Sequence, residues 1–543
     1  MRNISILSLF VVAALVSSAM LVADVAYADN HEESERPFIT TWETKFPGDT
    51  VTIPVGGAAG SYTVDWGDGS VTTHEGDATH VYENPGTHTV EISGDFTRFF
   101  LPGGGTFNGT NLVSIDQWGT TEWSTMKSAF ESAFNLVYNA IDAPDLSNVT
   151  DMSRMFNLTL VFDGDLSNWD TSNVTDMSFM FDNAQSFNGD VTTWDTSNVH
   201  DMSFMFFNAK LFNQPIGSWD TSNVTDMAFM FTYAKQFNQP LDSWDVSSVV
   251  DMSLMFSGAE KFNQDLNSWD VTSVVDMTRM FAHAFEFNGD ISDWDTSSVV
   301  AMTRMFTECF VFDGDISGWD VSNVKDPSRI FTHTRLFNSD ISGWDTSSMT
   351  DMSWMFNGAF AFNQDISGWD TSNVTDMNNM FLDAQSFNQD ISGWDVSNVT
   401  NMDRMFAHAG KFNQPLDSWD VSNVTNMEYM FSVTRSFNQP LNSWDTSIVT
   451  DMHFMFSHSR SFNQPLDSWD TSNVTNMSYM FLDTRSFNQD ISVWDVSNVT
   501  DMSSMFRFAD SFDQDISVWD VSNVTDMSRM LSLIHISEPT RPY

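Results

Sequence analysis

A tryptophan stands at position 169 and again every 25 residues up to Trp519, fifteen times without an insertion or deletion. Around it runs a near-constant phrase, "WDTSNVTDMSFMF" at 169–181 and "WDTSNVHDMSFMF" at 194–206. A strict period of this length marks a solenoid, in which each unit buries its apolar face only against its neighbours. The 543 residues therefore do not divide into several independent globular domains, as length alone would suggest.

In the unit that starts at Trp169, the apolar residues Met177, Met180, Phe181, Ala184 and Phe187 follow helical spacing and would line one face. Thr175 before Asp176 fits an N-cap followed by an acid in the first turn. The position two after each Trp is always Thr or Val, as at Thr171, Thr196 and Val246, which predicts a short strand beside the Trp. The fold class expected is thus an α/β solenoid of leucine-rich-repeat type, with one strand and one helix per repeat, over residues 146–530. The Trp and Met stripes are read as core. Asn188, Asn213, Asn238 and Asn263 are expected to bond the turn backbone and stack as a ladder, and Asn173 with its equivalents to do the same. The N-V-T matches to the glycosylation pattern are therefore read as structural. Cys309, the one cysteine, stands where most repeats carry Ala; it is read as a small core residue and excludes an intrachain disulfide.

The chain before the array differs. Residues 1–28 read as a secretory signal, with Arg2, the apolar run "ISILSLFVVAALVSSAMLV" and a small-residue cleavage site at Ala26–Ala28. Residues 29–36 follow as a linker. "YTVDWGDGSVTTHEGDATHVYENPGTHTVEISG" (62–94) alternates strand patterns with Gly-rich turns and predicts a small all-β sandwich over 37–95. Its W-G-D-G turn (Trp66–Gly69) and the run His80–Val90 resemble a PKD-type domain, a class that implies a spacer or adhesion unit. Residues 96–145, with Trp123, Met126, Phe130 and Ala133 in repeat-like positions and Pro144 in a Trp slot, are read as atypical capping repeats. The final "LSLIHISEPTRPY" (531–543) departs from the repeat and is read as the translation of a sequencing-library adapter.

The order of "PFITTWET", "TVDWGDGS", "SIDQWG", "DAPDLSNVTDM" and the arrays that follow resembles the BspA-like leucine-rich-repeat surface proteins of bacteria. That resemblance implies a secreted or cell-surface protein that binds extracellular proteins, glycans or other cells. It carries no catalytic residues over.

The formal net charge of −51 argues against nucleic-acid or anionic-membrane partners. No zinc-protease, serine-hydrolase or P-loop motif occurs. His283, His333, His408 and His458 share one repeat position, but two or three units separate them. No catalytic residue, cofactor or metal ligand is assigned. Structural calcium at the Asp after each Trp (Asp170, Asp195, Asp220) is weighed against bonding of those carboxylates to nearby amides, which is the plainer account. The candidate binding residues are those ten after Trp, on the predicted outer helix face: Phe179, Phe204, Phe229, Trp354, Tyr429, Phe454 and Tyr479. Leu254, Arg279, Arg304 and Arg329 interrupt this column. The expectation is a non-enzymatic extracellular binding or adhesion protein without an integral membrane span. The alternatives are a passive or calcium-stabilised surface-layer spacer, and the non-catalytic part of a larger secreted enzyme truncated at residue 530.

Overall fold

The structure, a computed structural model, describes residues 35–56, 60–101 and 107–531. The signal sequence, nearly all of the linker and residues 532–543 lie outside the described residues. Strand β1 (Phe38–Thr44) is followed by β2 (Thr50–Ile53), β3 (Tyr62–Asp65), β4 (Val71–His74), β5 (Ala78–Val81) and β6 (Gly86–Gly94). After helix α1 (Phe107–Asn111) come β7 (Leu112–Gln117) and β8 (Val137–Tyr138). One sheet has the order β4-β3-β6-β1-β7-β8, and β2 pairs with β5 in a second. All pairs are antiparallel except β7 with β8.

Turn chemistry fixes the β3–β4 hairpin. Asp65 accepts the Gly67 amide and Asp68 the Ser70 amide, at 3.0 and 2.9 Å. Gly67 has φ 75° and lies so close to the Thr89 carbonyl that a Cβ would collide with it. The Trp66 indole is buried and donates to Thr72 Oγ1 at 2.7 Å, while the Tyr82 hydroxyl donates to the Trp66 carbonyl at 2.8 Å.

The sheet continues into the repeats. Trp118, just after β7, stacks on Phe38 at 5.5 Å and meets Trp169 edge-on at 5.5 Å. The Tyr138 hydroxyl accepts the indole N–H groups of both Trp118 and Trp169, at 2.9 and 3.2 Å. The β-region therefore closes the first end of a core that runs unbroken along the array.

The array is not an α/β solenoid of leucine-rich-repeat type. Among the described residues α1 is the only α-helix, and no repeat contains a helix or an extended strand. Each coil is a succession of tight turns. In the "DMSFMF" segment the amides of Met180, Asp182 and Ala184 donate three residues back, to Met177, Phe179 and Phe181. The amides between them leave the coil: those of Met177, Phe179, Phe181 and Asn183 reach the carbonyls of Asp201, Ser203, Met205 and Phe207 in the next one, at 2.7–3.1 Å. A helix would send every amide four residues back within its own segment. The alternation holds because Phe179 and Asn183 adopt left-handed φ of 57° and 58°, and their equivalents recur along the array. Each is the third residue of its turn, where type II turns place positive φ.

The physical cause of the wrong expectation lies in the spacing. Consecutive four-residue turns bury the same residues as a helix face, so Met177, Met180, Phe181, Ala184 and Phe187 are all fully buried without being helical. The strand expected at Trp is also absent. Thr171 is a buried turn residue whose hydroxyl donates to Asp195 O in the next coil at 2.9 Å, and Val246 fills the equivalent slot. The strand-like contact sits elsewhere, as single parallel bridges such as Asp176 with Asp201 and Asp376 with Asn401. Thr175 is no cap; its amide and hydroxyl both donate to Thr150 O in the preceding coil.

Side-chain columns run in register along this frame. Each array Trp indole from Trp194 onward donates to the carbonyl 28 residues earlier, from Trp194 to Leu166 at 3.0 Å through to Trp519 to Ile491 at 3.2 Å. Phe181 and Phe187 stack at 3.9 Å within a coil, and Phe181 and Phe206 at 5.6 Å between coils. The asparagine ladder is continuous: the Asn188 side-chain oxygen accepts the Asn213 amide, Asn213 that of Asn238, and so on to Asp513. Asn198 and its equivalents bond the preceding coil, as to Ser172 O at 2.7 Å. Cys309 is fully buried and donates to Phe281 O at 2.8 Å, as Thr334, Thr434 and Thr484 donate from the same column.

Trp369 stacks between Trp344 and Trp394 at 6.4 and 6.3 Å and donates to Ile341 O at 3.1 Å. Trp369→Ala should therefore cost about 3–5 kcal/mol, read as lost hydrogen-exchange protection centred on coils 344–394. Protection unchanged in those coils would contradict this account of the column.

Candidate binding surface

The position ten after Trp is left-handed in every coil, and its side chains stack directly along the solenoid. Phe179, Phe204 and Phe229 form one run, with centroids 4.4 and 4.2 Å apart and planes within 9°. Tyr429, Phe454 and Tyr479 form a second, at 4.6 and 4.4 Å. Arginines close the first end of each run: the Arg154 guanidinium lies 4.0 Å over Phe179, and that of Arg404 4.4 Å over Tyr429. Trp354 stands apart from both runs, between Arg329, 4.8 Å over its ring, and the column position of Asn379. The structure thus brings the seven candidate residues together as two triplets and one isolated ring. All seven are half-buried, each covered by its column neighbours and open on the outer edge.

The carboxylates of the array cap turns. Asp195 accepts the amide and hydroxyl of Ser197 at 3.0 and 2.7 Å, and Asp176 those of Ser178 at 2.9 and 2.7 Å. Asp190 takes the amide and hydroxyl of Thr192 at 2.9 and 2.7 Å. The serine hydroxyls, then the amides, hold Asp170, Asp220, Asp245 and Asp345 below the ordinary carboxylate value. Asp182 goes the other way: burial pushes it up to about 6, against bonds from Asn157 and Asn183.

The four shared-position histidines do not converge. His283 meets Glu308 at 3.1 Å, His408 lies 3.7 Å from Asp383, and His458 bonds Ser457 at 2.8 Å. A different histidine joins a cluster that sequence reading missed: ligand atoms of Glu428, Asp451 and His453 all lie within 4.8 Å of one another, a mixed set suited to a divalent ion. The signal was present in one column. The position nine after Trp is small or amide-bearing through residue 378, then becomes Asp403, Glu428 and His453 in three successive coils, before returning to Ser478.

Among the described residues no helix is long and apolar enough to cross a membrane. These features define a repeat protein: a solenoid of 25-residue coils with side-chain ladders on its surface. Its repeats match the family described as "Mycoplasma protein of unknown function, DUF285" at 104–198, 188–288, 266–369, 330–444 and 432–536, and the chain belongs to that family. The match supports a repeat protein and extends neither to the leucine-rich-repeat assignment nor to the PKD-type one. Comparison with curated proteins and with solved structures finds no match.

The two carboxylate environments act oppositely with pH. The turn-capping aspartates have folded values below the unfolded one, so their stabilisation is complete above pH of about 4 and is lost as pH falls through the folded values. Asp182 has a folded value above the unfolded one, so its contribution is complete below pH of about 4 and is lost as pH rises through about 6. The melting temperature should fall on acidification below about pH 4, and Asp182→Asn should remove a component of its slope between pH 4 and 6. An unchanged slope in the variant would contradict the burial effect.

Proposed function

We propose that this protein is a non-enzymatic, extracellular binding protein of the bacterial surface, with the solenoid as an extended interaction face. The carrying observation is the left-handed column: two triplets of half-buried aromatics stacked in register and open along one edge. Aromatic ladders present large area at small entropic cost on association, which suits recognition of protein or glycan surfaces. The resemblance to BspA-like surface proteins and the PKD-type turn in the β-region support the same reading, as does the signal-like N-terminus. The repeated coil also gives little basis for catalysis, since it supplies the same chemistry many times over.

The column tolerates polar groups: Asn379 and Ser504 occupy it fully packed, at 3% and 2% exposure. A triple Phe179→Ser, Phe204→Ser, Phe229→Ser variant should therefore keep its coil, with a lowered melting temperature from the lost stacking. It should lose attachment to matrix protein, glycan or cells in a surface-binding assay. Attachment at the wild-type level by the folded variant would sink the proposal.

A further inference from the structure

Three consecutive rungs of the same column carry Arg279, Arg304 and Arg329. In this column aromatic rungs lie 4.2–4.6 Å apart, so three cations are stacked where the fold stacks rings. The chain has 22 basic side chains against 73 acidic ones, and several of its cations sit against carboxylates: Lys127 with Asp151, Lys235 with Glu260, and Arg460 and Arg485 with Asp483. Among the described residues no carboxylate lies within ion-pair distance of Arg279, Arg304 or Arg329, and their guanidinium groups donate no hydrogen bond to the protein. Their one aromatic contact is that of Arg329 with Trp354.

The acids nearest this patch are engaged or removed. Glu308 faces the same groove but pairs with His283 at 3.1 Å. Asp326 and Asp351 each accept the amide two residues on, at 2.9 and 2.8 Å. In the coil of Arg304 the turn-capping Asp is replaced by Ala301. Burial, then Arg279 and Arg329, lower the Arg304 value, and the Asp326 charge opposes them. The guanidinium groups line a groove of about 360 Å³, with Tyr233 and Trp354 at its two ends.

We infer that this groove binds a short anionic saccharide, its sulfate or carboxylate group held by Arg279, Arg304 and Arg329 and its ring against the exposed Tyr233 at one end. Guanidinium forks match the geometry of such oxyanions. The net charge of −51 disfavours a long polyanion, which would meet repulsion on either side of the three rungs. The site extends the binding reading above, but it rests on charges remote from Phe179, Phe204 and Phe229, so either can fail alone.

The test is calorimetric titration of the full chain with a sulfated disaccharide, a uronate-containing disaccharide, their neutral parent and inorganic sulfate. At least one anionic disaccharide should bind, more weakly as salt rises, and the neutral parent should not. Arg304→Asn, which places at residue 304 the side chain found at Asn379, should weaken binding roughly tenfold or more without lowering the melting temperature. Glu308→Gln should tighten binding by removing the one acid in the groove. The inference is overturned if no anionic disaccharide binds, if the neutral parent binds equally, or if folded Arg304→Asn binds as wild type does. Inorganic sulfate binding as tightly as the disaccharide would overturn the saccharide assignment. Should Arg304→Asn fold poorly, Glu308→Gln decides: unchanged or weaker affinity there counts against the site.

Discussion

Each coil is held to the next by backbone amides that turn away from their own segment. Buried amides and carbonyls must be paired, and here the pairing alternates: one donor closes a turn, the next crosses to the following coil. Left-handed residues at two fixed positions make the alternation possible. This arrangement forces neighbouring coils into register, and register brings identical side chains face to face. The Trp, Phe and Asn columns and the outer aromatic ladder are all consequences of it. The Phe179 column is therefore both strained backbone and surface feature; bulky residues with positive φ are uncommon and persist where the surrounding structure holds them.

The buried set was legible in the sequence, and the conformation that buries it was not. Met177, Met180, Phe181, Ala184 and Phe187 are core in a helix and in a run of turns alike, because both return a side chain to the same face every three or four residues. What separates the two is the acceptor of each amide, which an apolar pattern does not encode. The asparagine ladder was legible because a polar residue kept at one place in a packed unit has few other uses. The Glu428, Asp451 and His453 cluster was not, although its column changed chemistry in full view, because attention to what repeats hides a three-coil exception.

Acidic residues make up much of this chain without making much of an acidic site. Most array aspartates point a carboxylate oxygen at an amide two residues on, so they act as turn-formers first and charges second. The positions that break the pattern carry more chemical information than those that keep it. Ala301 removes a turn-capping acid beside Arg304, and Lys325 and Pro327 replace Thr and Met in the next coil.

Pro327 has a further effect. It has no amide hydrogen to send onward, and the column of parallel bridges, regular from Asp151 to Ala301, resumes only at Asp351. Arg304, Phe306 and Glu308 still donate across this interval, so the core remains continuous while its edge is thinned. In a one-dimensional array, cooperativity is only as long-ranged as the coupling between adjacent units. The gap at 301–351 therefore removes one of the columns that couple neighbouring coils, in a chain whose repeats look uniform.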